Sequence, residues 1–166
     1  PYSFFNGVAS DAPMVMFANN GPAIINKGPK DTFSNIKDNS EFVINISTYN
    51  NKDKMNETCF PLAKGESEID LAKLETRESK IVKPKILSES PINMECKLHQ
   101  IIDLPANNKN EYNGIIIGQV LGIHIQDDYI LNGIIDVKKL KPLARLGYMD
   151  YSIVDSFFQM NRPRQK

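Results

Sequence analysis

The sequence predicts a mainly β fold, a β-barrel with short inserted helices. Three observations carry that prediction. Residues 94–104 alternate over most of their length, and 114–125, the most apolar stretch of the chain, follows after a polar tip; two such runs joined by a turn segment read as a hairpin. Residues 41–47 alternate and are rich in β-branched side chains, as a half-buried strand requires. The helical patterns between these runs are short, and no Gly-rich strand-turn-helix fingerprint occurs, which removes a doubly wound sheet.

The elements follow in chain order. Residues 1–13 are half extended and break at Ser10-Asp11-Ala12-Pro13. Residues 14–18 form an apolar run after a proline and read as a buried strand. The Asn, Gly and Pro residues of 19–29 predict a loop with an extended middle. Asp31 can cap a helix that begins Thr32-Phe33-Ser34-Asn35 and stops near Asn39. Residues 52–59 and 67–74 read as short helices, and 80–87 as an edge strand because of Pro84. The three glycines of the apolar run, Gly114, Gly118 and Gly122, fit a barrel strand that bends or lets another group approach closely. Residues 129–133 form a small turn element, 136–140 one helical turn, and 145–147 lead into a final strand or coil.

Length and composition bound the function. The 166 residues suit a single domain, 1–166, with a sizeable core. Formal net charge is +0, which argues against a nucleic-acid or membrane-surface binder, since either needs a basic footprint. Cys59 and Cys96 lie far apart, in neither a disulfide nor a zinc pattern, and read as reduced thiols in a cytoplasmic protein. No apolar run is long enough for a membrane-spanning helix, and no signal peptide opens the chain. The sequons at Asn45 and Asn56 are then chance matches.

Two segments carry the site chemistry. The opening run brings Ser3, Asn6 and Ser10 together with Phe4 and Phe5; Lys30-Asp31-Thr32-Phe33-Ser34-Asn35 brings a cation, a carboxylate, a hydroxyl and an amide within six residues. Together they fit a flat, phosphorylated ligand. Lys30, Thr32 and the first-turn N–H groups would clamp the phosphate, and Asp31 would orient Lys30 or cap the helix. The bland alternatives are an ordinary helix cap for 30–32 and turn chemistry for Asn6-Gly7 and Ser10-Asp11. His124 sits in an apolar strand, either as a satisfied core or interface histidine or as a ligand contact. His99 reads as structural and Cys96 as a buried small hydrophobe. Arg145 pairs with a phosphate or forms a surface or interface ion pair, and Tyr151, six residues on, lines the site or does not.

These same segments resemble a known family. Residues 1–13 resemble its Pro-x-Ser-Phe-Phe-Asn-x-x-Ser-x-Asp-Pro-Pro block, and Lys30-Asp31-Thr32-x-x-Asn35-Ile36 with 41–45 resembles the next. Met55-Asn56-x-Thr58, residues 67–70, Ser90-Pro91-x-x-Met94-Glu95-Cys96-Lys97-Leu98, Gly118-x-Val120-x-Gly122-Ile123-His124-Ile125 and 142–147 follow in the same order. The sequence is therefore identified as similar to the flavin reductase-like, FMN-binding split-barrel family, of the flavoredoxin-like type. The resemblance implies a Greek-key split barrel that forms a homodimer and binds FMN near the subunit interface. FMN would be held by Ser3, Asn6, Ser10, Lys30, Asp31, Thr32, Asn35 and Arg145, with His124 as a contact to flavin or nicotinamide.

The implied activity is hydride transfer from NADH or NADPH to flavin, in some members on behalf of a partner monooxygenase. That transfer needs no protein acid or base, so the lack of a catalytic triad is no objection. Two other readings stay open: a non-catalytic FMN-binding electron carrier, and a homologue that no longer binds flavin. The last follows from what precedes the first block in the family, a further strand and an Arg-Pro segment, neither of which is in this sequence; the domain is expected to be N-terminally incomplete, with an open barrel edge. Tyr148 stands in place of a second Gly, and Ala12 in place of a Pro.

Overall fold

Two thirteen-residue strands form the spine of the structure, a computed structural model that describes residues 1–21, 29–108 and 111–163. In chain order the first elements are β1 (Phe5–Ser10), β2 (Pro13–Asn20), α1 (Asp31–Asn39) and β3 (Glu41–Asn45). A connecting region follows, with a 3-10 turn (Tyr49–Asn51), α2 (Lys52–Glu57), α3 (Glu68–Leu71), β4 (Thr76–Arg77) and β5 (Ile86–Leu87). The spine is β6 (Ile92–Leu104) and β7 (Asn113–Ile125). After a second 3-10 turn (Asp127–Tyr129), the last elements are β8 (Ile130–Leu131), β9 (Ile134–Ile135), α4 (Val137–Leu140), β10 (Leu143–Gly147) and β11 (Asp150–Ile153).

The main sheet has the order β1-β2-β7-β6-β3, with every pair antiparallel. The spine bulges between Glu95 and Cys96 and again between Leu98 and Gln100, and bulges bend a sheet and add twist. The two edges, β1 and β3, both line one large cavity. This is the split-barrel fold, and the mainly β expectation with short inserted helices holds.

One face of the sheet carries the core. Val15 and Phe17 of β2, Ile116 and Val120 of β7, Cys96 of β6 and Phe42 of β3 pack with Ile36 of α1. Phe17 and Phe42 meet edge to face, with ring centroids 5.7 Å apart. Gly118 lies beneath the Phe42 ring, where a Cβ would come within 2.3 Å of Cζ. The close approach expected of this glycine is thus to an aromatic ring. Gly118→Val is expected to cost about 1–3 kcal/mol through overpacking, read as a lower urea midpoint with an unchanged slope.

Two local expectations are corrected. The cap of α1 is Lys30, not Asp31. Lys30 has extended backbone (φ −62, ψ 148) and gives no side-chain cap bond, while Asp31 sits in the first turn, where its charge favours the helix's positive end. The edge strand expected over 80–87 shrinks to Ile86–Leu87. The reason is Glu95, whose carboxylate takes the backbone N–H groups of Lys80, Ile81 and Val82 that a ladder would have used. The middle of the loop expected over 19–29 lies outside the described residues.

Candidate functional site

A cavity of about 650 Å³ opens between the two edges of the sheet. Tyr2, Ser3 and Phe5 wall one side, β3 and the residues just after it wall the other, and Arg145 and Tyr151 of the β10–β11 hairpin complete it. Its polar wall is fixed by neighbours. Asn45 Oδ1 accepts from Leu87 N at 3.1 Å and from Asn93 Nδ2 at 2.8 Å, and Arg77 Nη2 donates to Asn93 Oδ1 at 3.1 Å. Ser90 Oγ donates to the Ile46 carbonyl at 2.8 Å, and Asn51 Oδ1 accepts from Thr48 N at 2.8 Å. Side chains held in this way present their remaining polar atoms without further ordering cost.

Arg145 is fixed by aromatic and backbone partners. Its Nη1 donates to the Tyr151 hydroxyl at 2.5 Å and its Nη2 to the Tyr148 carbonyl. The guanidinium lies 4.6 Å from the Tyr151 ring centroid. Among the described residues no carboxylate forms an ion pair with it. Its charge therefore has no acidic partner among the described residues.

Beside this cavity lies the start of α1. The Lys30 carbonyl accepts from Phe33 N and Ser34 N, and the N–H groups of Asp31 and Thr32 belong to the first turn, which has no intrahelical acceptor. Lys30 Nζ stands 5.9 Å from the Tyr2 ring centroid. The Tyr2 hydroxyl donates to Asn19 Oδ1 at 3.1 Å, and the Tyr2 ring lies tilted against Phe17 with centroids 4.8 Å apart. Burial raises the Tyr2 pKa above its ordinary value; the Thr32 hydroxyl opposes that, and the charges of Glu68 and Asp31 add to it. Tyr2 thus stays a protonated donor. Asn19 is 0% exposed, and its Nδ2 has no partner among the described residues. A buried donor left open in this way favours an added acceptor.

The expected site residues divide into three groups. Lys30, Asp31 and Thr32 gather near Tyr2, which also lines the cavity. Ser3 and Arg145 are on the cavity itself. Asn6, Ser10 and Asn35 are exposed, and Asn6 Oδ1 is taken by Gly7 N at 2.9 Å. His124 is bound elsewhere, its Nε2 lying 2.5 Å from Glu95 Oε1. Tyr2, Asn19, Asn45 and Ser90 were not singled out from the sequence for the site. Asn45 stands within a sequon, and its half-buried amide is held by Leu87 N and Asn93 at the cavity wall.

Both cysteines are free, Cys59 exposed at the cavity and Cys96 buried. Burial, with the Glu95 charge adding, pushes the Cys96 thiol up to about 12, so it is no nucleophile. Among the described residues no cluster of side chains could hold a metal ion, and no helix is long and apolar enough to cross a membrane.

The structural neighbours of this antiparallel barrel are flavin reductase-like split-barrel proteins. The flavin reductase like domain family model matches residues 1–140, and the chain belongs to that family. The crystal structure of nitrilotriacetate monooxygenase component B from Bacillus cereus superposes with a TM-score of 0.88 at 33% identity, covering 96% of this chain and 78% of that one. Two uncharacterized relatives are similar over 98% of this chain: BH2278 of Halalkalibacterium halodurans, 30% identical over 77% of its length, and YwrF of Bacillus subtilis, 31% identical over 79%. Family and neighbours support a flavin-related oxidoreductase.

Proposed function

We propose that this protein binds FMN and reduces flavin with hydride taken from NADH or NADPH. The observation that carries the reading is the open start of α1, with Lys30 and Thr32, joined through Tyr2 to the unsatisfied buried amide of Asn19 and to the cavity. A cation, a hydroxyl and free N–H groups suit a phosphate, and the fixed polar wall suits the donor and acceptor edges of a flat ring. These residues fit FMN. In this arrangement Lys30 and Thr32 hold the phosphate, Ser3 meets a ring edge, and Arg145 supplies a second positive charge at the cavity.

FMN supplies a two-electron acceptor when bound. The chain contributes position and electrostatics, keeping the ring edges hydrogen-bonded and water out of the pocket's apolar side, where Phe5, Phe17 and Ile44 stand. No proton transfer from a side chain is required.

The proposed molecule is a cytoplasmic homodimer. Leu121 and Ile123 support the pairing, since both stand exposed on the outer face of the central strand β7; the two free thiols support the location. The Bacillus cereus neighbour is a component of a monooxygenase, which supports an oxygenase as the consumer of reduced flavin here.

Mixing the purified protein with FMN, gel-filtering it and recording the absorption spectrum tests the reading. Retained flavin bands that bleach with NADH or NADPH are expected. Bands that persist with both nucleotides would make the protein an electron carrier, and no retained flavin would make it a homologue that has lost the site.

A further inference from the structure

Residues 155–160 form an arm whose apolar side chains the described body leaves largely bare. The last backbone hydrogen bond to the body among the described residues runs from Val154 N to the Pro142 carbonyl at 3.2 Å. Residues 155–163 then continue without regular structure. Phe158 and Met160 are each 81% exposed and Phe157 55%, with the Lys138 ammonium 5.8 Å from the Phe157 ring centroid. The tip of the preceding β10–β11 hairpin is equally bare, with Tyr148 96% and Met149 90% exposed. Tyr148 takes φ 47, a left-handed value, at the turn. The same hairpin carries Arg145 and Tyr151 at the cavity.

We propose that the arm is exchanged between two copies of this chain, each arm lying on the other copy's β10–β11 hairpin and covering its Arg145. The inference rests on the homodimer reading above and specifies which segment makes the dimer and what it does to the site. Area argues for a second copy as the occupant. Taking ~150–250 Å² for a large side chain, the five bare residues present roughly 700 Å² per copy, close to the ~800 Å² per partner of a stable interface. Two-fold pairing also gives each bare hairpin tip the apolar partner it lacks, because an arm on one copy faces a tip on the other and the reverse holds at the same time. The site then becomes shared: the partner's arm shields Arg145 from water, and the guanidinium acts on an anion more strongly in that drier surrounding.

The test compares the full chain with one ending at Val154, by sedimentation over a concentration series. The expected result is a dimer for the full chain and a dissociation constant raised by at least about a hundredfold for the shortened one. A mixture of isotopically light and heavy full chains carrying benzoylphenylalanine in place of Phe158 adds a readout that does not depend on the shortened chain folding. Irradiation is expected to join light to heavy chains, with the label mapped by mass spectrometry to residues 145–151. Cross-links confined within one chain overturn the proposal, as does a shortened chain that dimerises as tightly as the full one; the homodimer reading survives both results. A full chain that is monomeric throughout overturns both.

Discussion

Glu95→Ala is expected to destabilise the protein by about 3–5 kcal/mol, since each hydrogen bond to a charged group contributes about 1.5–3 kcal/mol and several are lost at once. Glu95 is 0% exposed and bridges three elements. Its Oε2 accepts from Ile81 N at 2.6 Å and from Val82 N at 2.8 Å; its Oε1 accepts from Lys80 N at 3.0 Å and meets His124 Nε2 at 2.5 Å. In the alanine variant the buried Val82 N–H and the His124 nitrogen lose their partner, while the N–H groups of the exposed Lys80 and Ile81 lie where water can replace it. Glu95→Gln preserves the shape but turns an amide NH₂ toward donors, so it restores only part of the loss. The pinned loop in turn sets Ile81 over Gly122, where a Cβ would sit 2.6 Å from Ile81 Cδ1. Urea unfolding of the three proteins at neutral pH measures the series; an alanine variant within about 1 kcal/mol of the parent would show that water replaces the carboxylate.

The same carboxylate makes a pH prediction. Burial by itself raises the Glu95 pKa, but the hydrogen bonds from Lys80 N, His124, Val82 N and Ile81 N outweigh it and hold the value at about 2, against 4.5 for an ordinary glutamate. Between those values the unfolded chain binds the proton and the folded chain does not, so stability rises with pH there. The contribution is complete above about 4.5 and is lost as pH falls toward about 2. The Glu95→Gln variant is expected to lose this part of the acid dependence, seen as a flatter midpoint-against-pH curve over that window.

The strands were legible because their signals are local and long. Residues 41–47, 94–104 and 114–125 show their alternation or apolar continuity within one window, and each became a strand. The loop after Ser79 was not legible, because what shapes it is a carboxylate more than a dozen residues further along, and no periodicity encodes a loop wrapping an anion. The site divides in the same way. Lys30-Asp31-Thr32 is a contiguous signal at a helix start. Tyr2 and Asn19 acquire a role only by meeting across the sheet, seventeen residues apart in the chain. His124 reads in the sequence as either a satisfied histidine or a ligand contact; its bond to Glu95 gives it a structural partner that the sequence places twenty-nine residues away.

The double substitution Lys30→Ala with Thr32→Val is expected to weaken FMN binding by about 100-fold or more. Hydrogen bonds to a charged group contribute about 1.5–3 kcal/mol each, and about 1.4 kcal/mol is a factor of ten in Kd. Both side chains are only half buried, and Lys30 makes no side-chain cap bond, so folding is expected to be nearly unaffected. Titration of the apoprotein with FMN, followed by flavin fluorescence, gives the affinity. Riboflavin, which lacks the phosphate, is the discriminating control. If Lys30 and Thr32 act on the phosphate, the parent and the double variant bind riboflavin equally and differ only for FMN. Equal losses for both ligands would instead locate the two residues at the ring. An FMN affinity within about twofold of the parent would move the phosphate to Arg145, the cation at the cavity with no acidic partner among the described residues. Salt separates these cases as well: a phosphate held by Lys30 loses affinity with ionic strength in the parent, and loses less in the variant, because one of the charges being screened is gone.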